Sequence, residues 1–396
     1  MPDEVITKIE ETKETVAADS TDLLSVLGRE SGFTRKPYSN EVRAAFMETL
    51  NRAADGSNLA YYQLKEAMVT ADFPYLFGDV LDRSLMAAWG TTMPSWRNYI
   101  DTGTVRDFRP AKMLGIEGMG AVLDGVQERA EYPERGPSEE TPITRQVSKY
   151  GGRFGISFEA MINDDLGALR SLPQKLVEAA RRTEALAASK MYVGTAGFNA
   201  ALYKDSAGFK NIINAANGAS TNNPALSLAN LAQGFLVLGN HVDIDGFPIV
   251  IDAVTLVVGP ALRITANNII NATEIMVASG GGAYNAADQI RVANWMRNNL
   301  TVEVDPYISM TATSNAATSW FLFASKGAPR TAVQMDYLQG HETPELFVKT
   351  PNASRVGGGT VPESFENDAQ EYKVRHIFGL TQIAPYATVA SNGTGS

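Results

Sequence analysis

Apolar positions recur at helical spacing through the first hundred residues and turn increasingly to strand spacing after them. In Glu41 to Arg52, Val42, Ala45, Phe46 and Leu50 fall three and four apart, and Asp55-Gly56 ends the run. Ser57 to Asp72 is a second short amphipathic piece. Asp72-Phe73-Pro74 then supplies a cap and a first-turn proline, opening a helix that carries Val80, Leu81, Leu85, Met86 and Trp89. Polar linkers separate these pieces, so they predict an arm that packs on something else. From Thr104 to Phe108 the pattern alternates, glycines punctuate Gly115 to Gly125, and Arg145 to Phe158 alternates again around Gly151-Gly152. This predicts two long strands flanking a tip, Glu128 to Thr141. The tip has almost no large apolar side chain and contains Pro133 and Pro137, so it has no core of its own to fold around.

The strongest periodicity follows Asn163-Asp164-Asp165. Leu166, Leu169, Leu172, Leu176, Ala180, Ala187 and Met191 form one stripe, with Pro173 near the start and Gly194 at the end. The part from Leu172 to Tyr192 alone spans about 30 Å at 1.5 Å per residue. Beyond it the chain mixes both periods. Leu226 to Leu238 and Pro260 to Ile270 predict helices; Pro248 to Val258, Leu300 to Val304, Trp320 to Ser325, Thr331 to Tyr337, Tyr372 to Leu380 and Thr381 to Val389 predict strands. The fold class expected is α+β, and no repeat of 20 to 50 residues is present.

Composition narrows the function more than the fold. Lys and Arg total 34 against 44 Asp and Glu, giving a net charge of −10, and there is no cysteine. Disulfides, thiolate metal sites and cysteine nucleophiles are thereby excluded. An acidic chain is a poor polyphosphate binder, so contact with nucleic acid is expected to be local and weak. No run of 18 apolar residues exists, and the polar start shows no basic cap followed by an apolar stretch. The first 35 residues, with Asp3, Glu4, Glu10, Glu11, Glu14, Asp19 and Asp22 against Lys8 and Lys13, read as a solvated helix or a mobile arm.

Candidate chemistry is sparse. His241, His341 and His376 sit in unrelated local patterns, and no Gly-x-Ser-x-Gly elbow, His-Glu-x-x-His pair or acidic calcium ladder occurs. His376, inside an apparent strand, reads as a structural histidine. Asp164-Asp165 reads as helix capping rather than a cation site. Gly280-Gly281-Gly282 and Gly357-Gly358-Gly359 lack the Lys-Ser/Thr of a phosphate loop. Arg170, Lys175, Arg181, Arg182 and Lys190, interrupted by Glu178 and Glu184, read as a solvated helix face with intrahelical pairs, or else as an inter-subunit seam or a weak nucleic-acid contact. No catalytic residue, metal ligand or cofactor is expected.

The order of these elements resembles the major capsid proteins of tailed phages with the Hong Kong 97-type fold, and within them most of all the Mu-type head subunits. The likeness rests on Ala71-Asp72-Phe73-Pro74 with Leu76, Val80 and Leu81; Thr104 to Phe108; Tyr150 to Leu166 running into the long helix; Leu256-Val257-Val258-Gly259-Pro260 with Leu262 and Ala266; Trp320-Phe321-Leu322; and Tyr372 to Gly379. The resemblance implies an N-terminal arm over residues 1–102, an extended loop over 103–163 lying on a neighbouring subunit, and a spine helix within 164–204. It further implies a mainly axial domain over 205–345, and over 346–396 a return to the peripheral domain followed by a tail.

The implied role is structural: self-assembly into hexamers and pentamers of an icosahedral head around double-stranded DNA, in the host cytoplasm. Separate scaffolding, portal and possible decoration proteins would be its other partners, with no membrane contact. Candidate interface residues are Trp89, Trp96, Phe108, Arg109, Arg129, Glu131, Glu134, Arg135, Glu139, Glu140, Arg181 and Arg182. Some relatives crosslink a loop lysine to a neighbour's asparagine. No lysine lies between Lys112 and Lys149 here, so an uncrosslinked shell is expected. The short acidic start leaves little room for a cleaved scaffolding segment. Rival expectations are an encapsulin-type cargo shell of the same fold, a hydrolase using carboxylates such as Glu159 or Asp164, and another virion component such as a tail or decoration protein, which the long helix fits poorly.

Overall fold

The computed structural model describes residues 44–49, 52, 59, 73–91, 93–113, 116–117, 126–129, 132, 138–139, 143–157, 166–206, 209–242, 248–249, 251, 254–278, 289–297, 299–326, 331–349, 353–354, 360–361 and 369–395. In chain order the elements that matter below are α1 (Phe73–Thr91), β1 (Asp101–Val105), β2 (Ala111–Met113), β3 (Ile143–Arg145), β4 (Ser148–Ser157) and α2 (Leu166–Tyr192). They continue with α3 (Leu228–Gly239), β5 (Val254–Val258), α4 (Arg263–Asn271), β6 (Leu300–Val304), β7 (Trp320–Ala324), β8 (Val333–Leu338), β9 (Glu345–Val348), β10 (Ala369–Gln382) and β11 (Thr388–Ser391).

Two units divide the chain. The first comprises Met1–Thr92, Lys149–Ala180 and Thr343–His376; the second comprises Met93–Ser148, Arg181–Glu342 and Ile377–Ser396. The long helix α2 and the long strand β10 each contribute one part of their length to each unit.

In the first unit, β9 runs antiparallel to β10 with Glu345 opposite Arg375 and Val348 opposite Tyr372, and β4 pairs with the other edge of β10. Alternation sorts the side chains: Gln370, Tyr372, Val374 and His376 are buried, and Lys373 between them is exposed. Phe154 stacks on Tyr372 at 5.4 Å between ring centroids. Leu85 and Trp89 of α1 pack with Val177 and Ala180 of α2, and Trp89 meets the His376 ring edge-on at 5.2 Å. The Leu346 N–H donates to Asp82 Oδ1 at 3.3 Å, tying α1 to β9. Burial pushes the Asp82 carboxyl above its ordinary value, and Asp79 and Glu345 push it the same way against the Leu346 hydrogen bond.

The second unit is built on the sheet β6-β5-β7-β11, with β6 parallel to β5 and the other pairs antiparallel. Its central strands are buried at every position, which is why they read in sequence as continuous apolar runs. Val254, Leu256, Val258, Trp320, Leu322 and Val389 face one way, onto Leu231 and Leu238 of α3 and Ala266 and Ile270 of α4. Val257, Phe321, Phe323 and Ala390 face the other way, onto Tyr192 of α2, Tyr99, and Val333 and Met335 of β8. Ser227 caps α3 by accepting from the Asn230 N–H at 3.2 Å.

The same unit holds a second sheet in which β1 runs parallel to β8 and β8 antiparallel to Ile377–Gln382 of β10.

Several elements depart from the sequence pattern for local reasons. The first loop strand, expected over Thr104 to Phe108, is Asp101–Val105; beyond it Asp107 Oδ1 accepts the Arg109 N–H at 3.1 Å and turns the chain. The second, expected unbroken over Arg145 to Phe158, is divided into β3 and β4. Between them Val147 turns inward, 2% exposed, to join Val105, Leu338 and Ile377. The final run, expected as strands to Leu380 and from Thr381, continues as one strand to Gln382 and then breaks. Pro385 has no N–H for a ladder and starts a short 3-10 turn, after which β11 forms. Apart from Leu59, the amphipathic piece Ser57 to Asp72 lies outside the described residues, as does most of the tip, Glu128 to Thr141.

Candidate functional site

The ribbon that carries the polar tip leaves the second unit at a root made by β2, β3, β1 and β8. β2 and β3 pair antiparallel, Ala111 opposite Arg145 and Met113 opposite Ile143. β1 lies beside β8 with Gly103 opposite Asp336. Asp336 is fully buried in β8, and both its oxygens accept from Arg145: Oδ2 from Nε at 2.8 Å and Oδ1 from Nη2. Gln334 Nε2 donates to the same Oδ1 at 2.9 Å. A carboxylate met by two guanidinium nitrogens is a strong, directional pair, and this hydrogen bonding raises the Arg145 guanidinium above its ordinary value.

Two glycines let the root close. A Cβ on Gly103 would stand 2.0 Å from Gln334 Nε2, 2.6 Å from Asp336 Oδ1 and 2.8 Å from Arg145 Nη2, so only a bare α-carbon leaves room for the pair. A Cβ on Gly379 would stand 2.0 Å from the Gln146 carbonyl oxygen. The turn between β3 and β4 is therefore pressed against β10 by backbone contact. Beside it, Gln146 Nε2 donates to the Phe108 carbonyl at 3.3 Å.

A second buried polar cluster lies on α2 and β8. Arg181 Nη1 meets Glu184 Oε2 at 3.1 Å, with the side chains 7% and 0% exposed. The Tyr337 hydroxyl donates to Glu184 Oε1 at 2.7 Å and accepts from Arg97 Nη2 at 3.4 Å. Burial first, and then the Glu184 charge, push the Tyr337 phenol well up; burial pulls the Arg181 guanidinium down while Glu184 opposes it. Arg181 and Glu184 are thus not part of the solvated face expected for them. Among the described residues of α2, Val177, Ala180, Arg181, Glu184, Ala188, Ser189 and Tyr192 are buried and the expected Leu176, Ala187 and Met191 pack beside them, so the apolar stripe finds the core side but omits the buried ion pair.

The candidate interface residues divide by exposure. Trp89 and Trp96 are 6% and 1% exposed and, with Arg181, are covered by their own chain; the large rings are withdrawn by apolar packing and the guanidinium by its carboxylate partner. Phe108, Arg109, Arg129 and Arg182 are exposed, Arg129 in a left-handed turn at φ 67°. Glu131, Glu134, Arg135 and Glu140 lie outside the described residues, as does the side chain of Glu139, whose backbone pairs with Ile116. Tyr132 of the tip, 82% exposed, and Met93, Ile264 and Met310, each at least 70% exposed, were not singled out from sequence. Isolated apolar residues among polar neighbours leave no periodic signal to find them by.

Nothing in the described chemistry assembles into a catalytic centre. His241 holds backbone, with Nδ1 2.7 Å from the Tyr386 carbonyl oxygen and Nε2 3.1 Å from that of Lys210. Asp305 accepts from the Ser189 and Tyr192 hydroxyls and, at 2.8 Å, from the Tyr307 N–H. Burial pushes the Tyr192 phenol far up, with Tyr99 and Asp305 adding to the shift. Ser189 is fully buried and donates to a carboxylate, which is packing chemistry rather than nucleophile activation. Among the described residues no group of three or more acidic or histidine side chains suits a metal ion, and no helix is long and apolar enough to cross a membrane. Glu159, Asp164 and both triple-glycine runs lie outside the described residues.

A sequence family described as phage capsid protein matches residues 140–391, well over half the chain. Among curated proteins, none matches. Solved structures to which the chain is similar include the holo-SrpI encapsulin complex from Synechococcus elongatus, with 10% identity, TM-score 0.44 and coverage of 76% of this chain and 89% of that one. Another is the capsid of cyanophage P-SCSP1u, with 11% identity, TM-score 0.41 and coverage of 76% and 90%. A third is the mature capsid of bacteriophage PhiM1, with 11% identity, TM-score 0.42 and coverage of 76% and 87%.

Proposed function

This chain belongs to the phage capsid protein family, and on that premise we propose that the anchored ribbon and the exposed side chains around it join each copy to its neighbours in the Hong Kong 97 manner. The chain is a structural component of the virion, a major capsid protein that assembles with copies of itself into the head, and not an enzyme.

The finer reading takes residues 1–102 as the arm, 103–163 as the extended loop, 164–204 as the spine, 205–345 as mainly axial, and 346–396 as the return to the peripheral domain and the tail. The 27-residue helix α2 supports the spine assignment. Hexamers and pentamers are the units of the shell. Phe108, Arg109, Arg129 and Arg182, with the acidic tip residues Glu131, Glu134, Glu139 and Glu140 and with Arg135, make the contacts. Trp89, Trp96 and Arg181 hold the surfaces from behind. The order of motifs favours a Mu-type subunit. Scaffolding and portal proteins are separate partners, decoration proteins are possible ones, and DNA is touched only weakly.

The observation that carries this reading is the root. Asp336, Arg145, Gly103 and Gly379 anchor a ribbon whose tip carries almost no large apolar side chain. A tip of that composition gains order by being covered by another copy. Replacing residues 118–137 by a short turn tests it. The shortened chain is expected to remain a folded, soluble subunit and to form no closed shells in sedimentation and electron microscopy. Shells formed as readily as by the parent chain would remove the ribbon from assembly.

A further inference from the structure

Both ring nitrogens of His241 face backbone carbonyls: Nδ1 stands 2.7 Å from the Tyr386 oxygen and Nε2 3.1 Å from the Lys210 oxygen. A carbonyl only accepts, and a neutral imidazole carries one N–H and one lone pair. The neutral ring therefore satisfies one carbonyl and turns a lone pair on the other, whichever tautomer forms. The imidazolium, with two N–H groups, satisfies both. His241 is 8% exposed, so water has little room to replace the missing donor.

The surroundings meet that charge with dipoles. His241 lies two positions beyond Gly239, the last residue of α3, where helix carbonyls concentrate negative potential, and its own N–H reaches the Leu238 carbonyl at 3.4 Å. Residues 211–240, which include all of α3, contain no charged side chain, and neither do residues 377–396, which include Tyr386 and β11. The hairpin of Asp205–Ser206 with Phe209–Lys210 brings exposed Lys204, Asp205 and Lys210, with Asp205 opposite Lys210 in register. Tyr386 is the titratable side chain of the turn before β11. Asp243 and Asp245, next along the chain, lie outside the described residues.

The two carbonyls belong to segments that border β11. Lys210 leads into Asn211–Ile213, where the Ile213 N–H donates to the Ala390 carbonyl at 3.0 Å and the Ala390 N–H donates to the Asn211 carbonyl at 3.1 Å. Tyr386 stands two positions before β11 begins at Thr388. We propose that His241 is a binding site for one proton, and that the bound proton clasps the end of α3 to both segments and so fastens the edge of the sheet at β11. Loss of the proton releases one carbonyl and loosens that edge. The stability supplied by the clasp is present in acid and lost as pH rises, because the folded chain then gives up a proton that its two carbonyls were holding.

The test compares the melting of unassembled wild-type and His241→Gln subunits at about pH 5.5 and about pH 8.5, on either side of the ordinary imidazole range. Glutamine keeps a hydrogen-bond donor and has no titrating proton. Wild type is expected to melt about 3–6 °C above the variant at the lower pH and within about 1 °C of it at the higher. His341, His376 and every carboxyl are common to both chains, so their contributions cancel. An equal gap at both pH values overturns the proton site.

Amide hydrogen exchange locates the effect. After correction for the intrinsic rate, protection at Ile213 and Ala390 of the wild type is expected to fall at least about tenfold between the two pH values. Unchanged protection there overturns the clasp at β11. Nitrogen-15 spectra of histidine-labelled wild type keep the proposal testable if the variant does not fold: both ring nitrogens of His241 are expected to carry protons at about pH 6. A single neutral tautomer at that pH overturns the proposal.

Discussion

Replacing Arg145 by Met removes the guanidinium that Asp336 faces and keeps most of the side-chain length. Asp336 is 0% exposed and Arg145 18%, so water does not take the place of the lost partner. The Gln334 amide at 2.9 Å remains as a donor to the carboxylate, but it carries no charge. An uncompensated buried charge costs about 3–5 kcal/mol, against about 0–1 kcal/mol for an exposed pair. At a urea dependence of roughly 3 kcal/mol per molar, the unfolding midpoint of the unassembled subunit falls by about 1–1.7 M. Tryptophan fluorescence follows the transition, because Trp96 and Trp320 lie in the cores of the same unit. Pairing the change with Asp336→Leu removes both charges and recovers most of the loss. A midpoint drop under about 0.3 M for Arg145→Met, or no recovery in the double variant, would refute the argument that this pair pins the ribbon root.

Three further outcomes follow from other parts of the molecule. Trp89→Ala empties the space among Leu85, Val177 and Ala180 and removes the edge-on partner of His376, costing about 3–5 kcal/mol by chemical denaturation; a loss below 1 kcal/mol would show the ring is not a core anchor. The Asp82 carboxyl titrates above 3.8 in the folded chain, so the native state binds more protons than the unfolded one between that value and the raised one, and stability is lost as pH rises through the window. Asp82→Asn is therefore expected to melt higher than wild type at pH 7, with the gap closing toward pH 4, and equal melting points at pH 7 would contradict the burial argument. Mature particles boiled in detergent are expected to run as one band near 42.6 kDa, because the tip offers no lysine; a ladder of multiples would show covalent linkage through other residues.

Sequence periodicity located α1 through its Val80, Leu81, Leu85 and Trp89 pattern, and β5 and β7 within runs read as strands. These signals are local, because each follows from which side of one element meets a core. The root was not legible. Asp336 and Arg145 are 191 positions apart, and each alone looks like an ordinary surface charge until the strands meet. Gly103 offered a hint, since a glycine inside a strand marks a close approach, but not what approaches. The buried ion pair on α2 escaped for the same reason: Arg181 and Glu184 are polar by type and buried by partnership with each other and with Tyr337.

The most direct test of the central claim is cryo-electron microscopy of heads purified from cells that produce the virion. The account predicts closed icosahedral shells whose repeating subunit is this chain, clustered in sixes and fives, with the ribbon of each copy resting on the next. A shell built from a different chain, with this one recovered only as monomers or small oligomers, would contradict it.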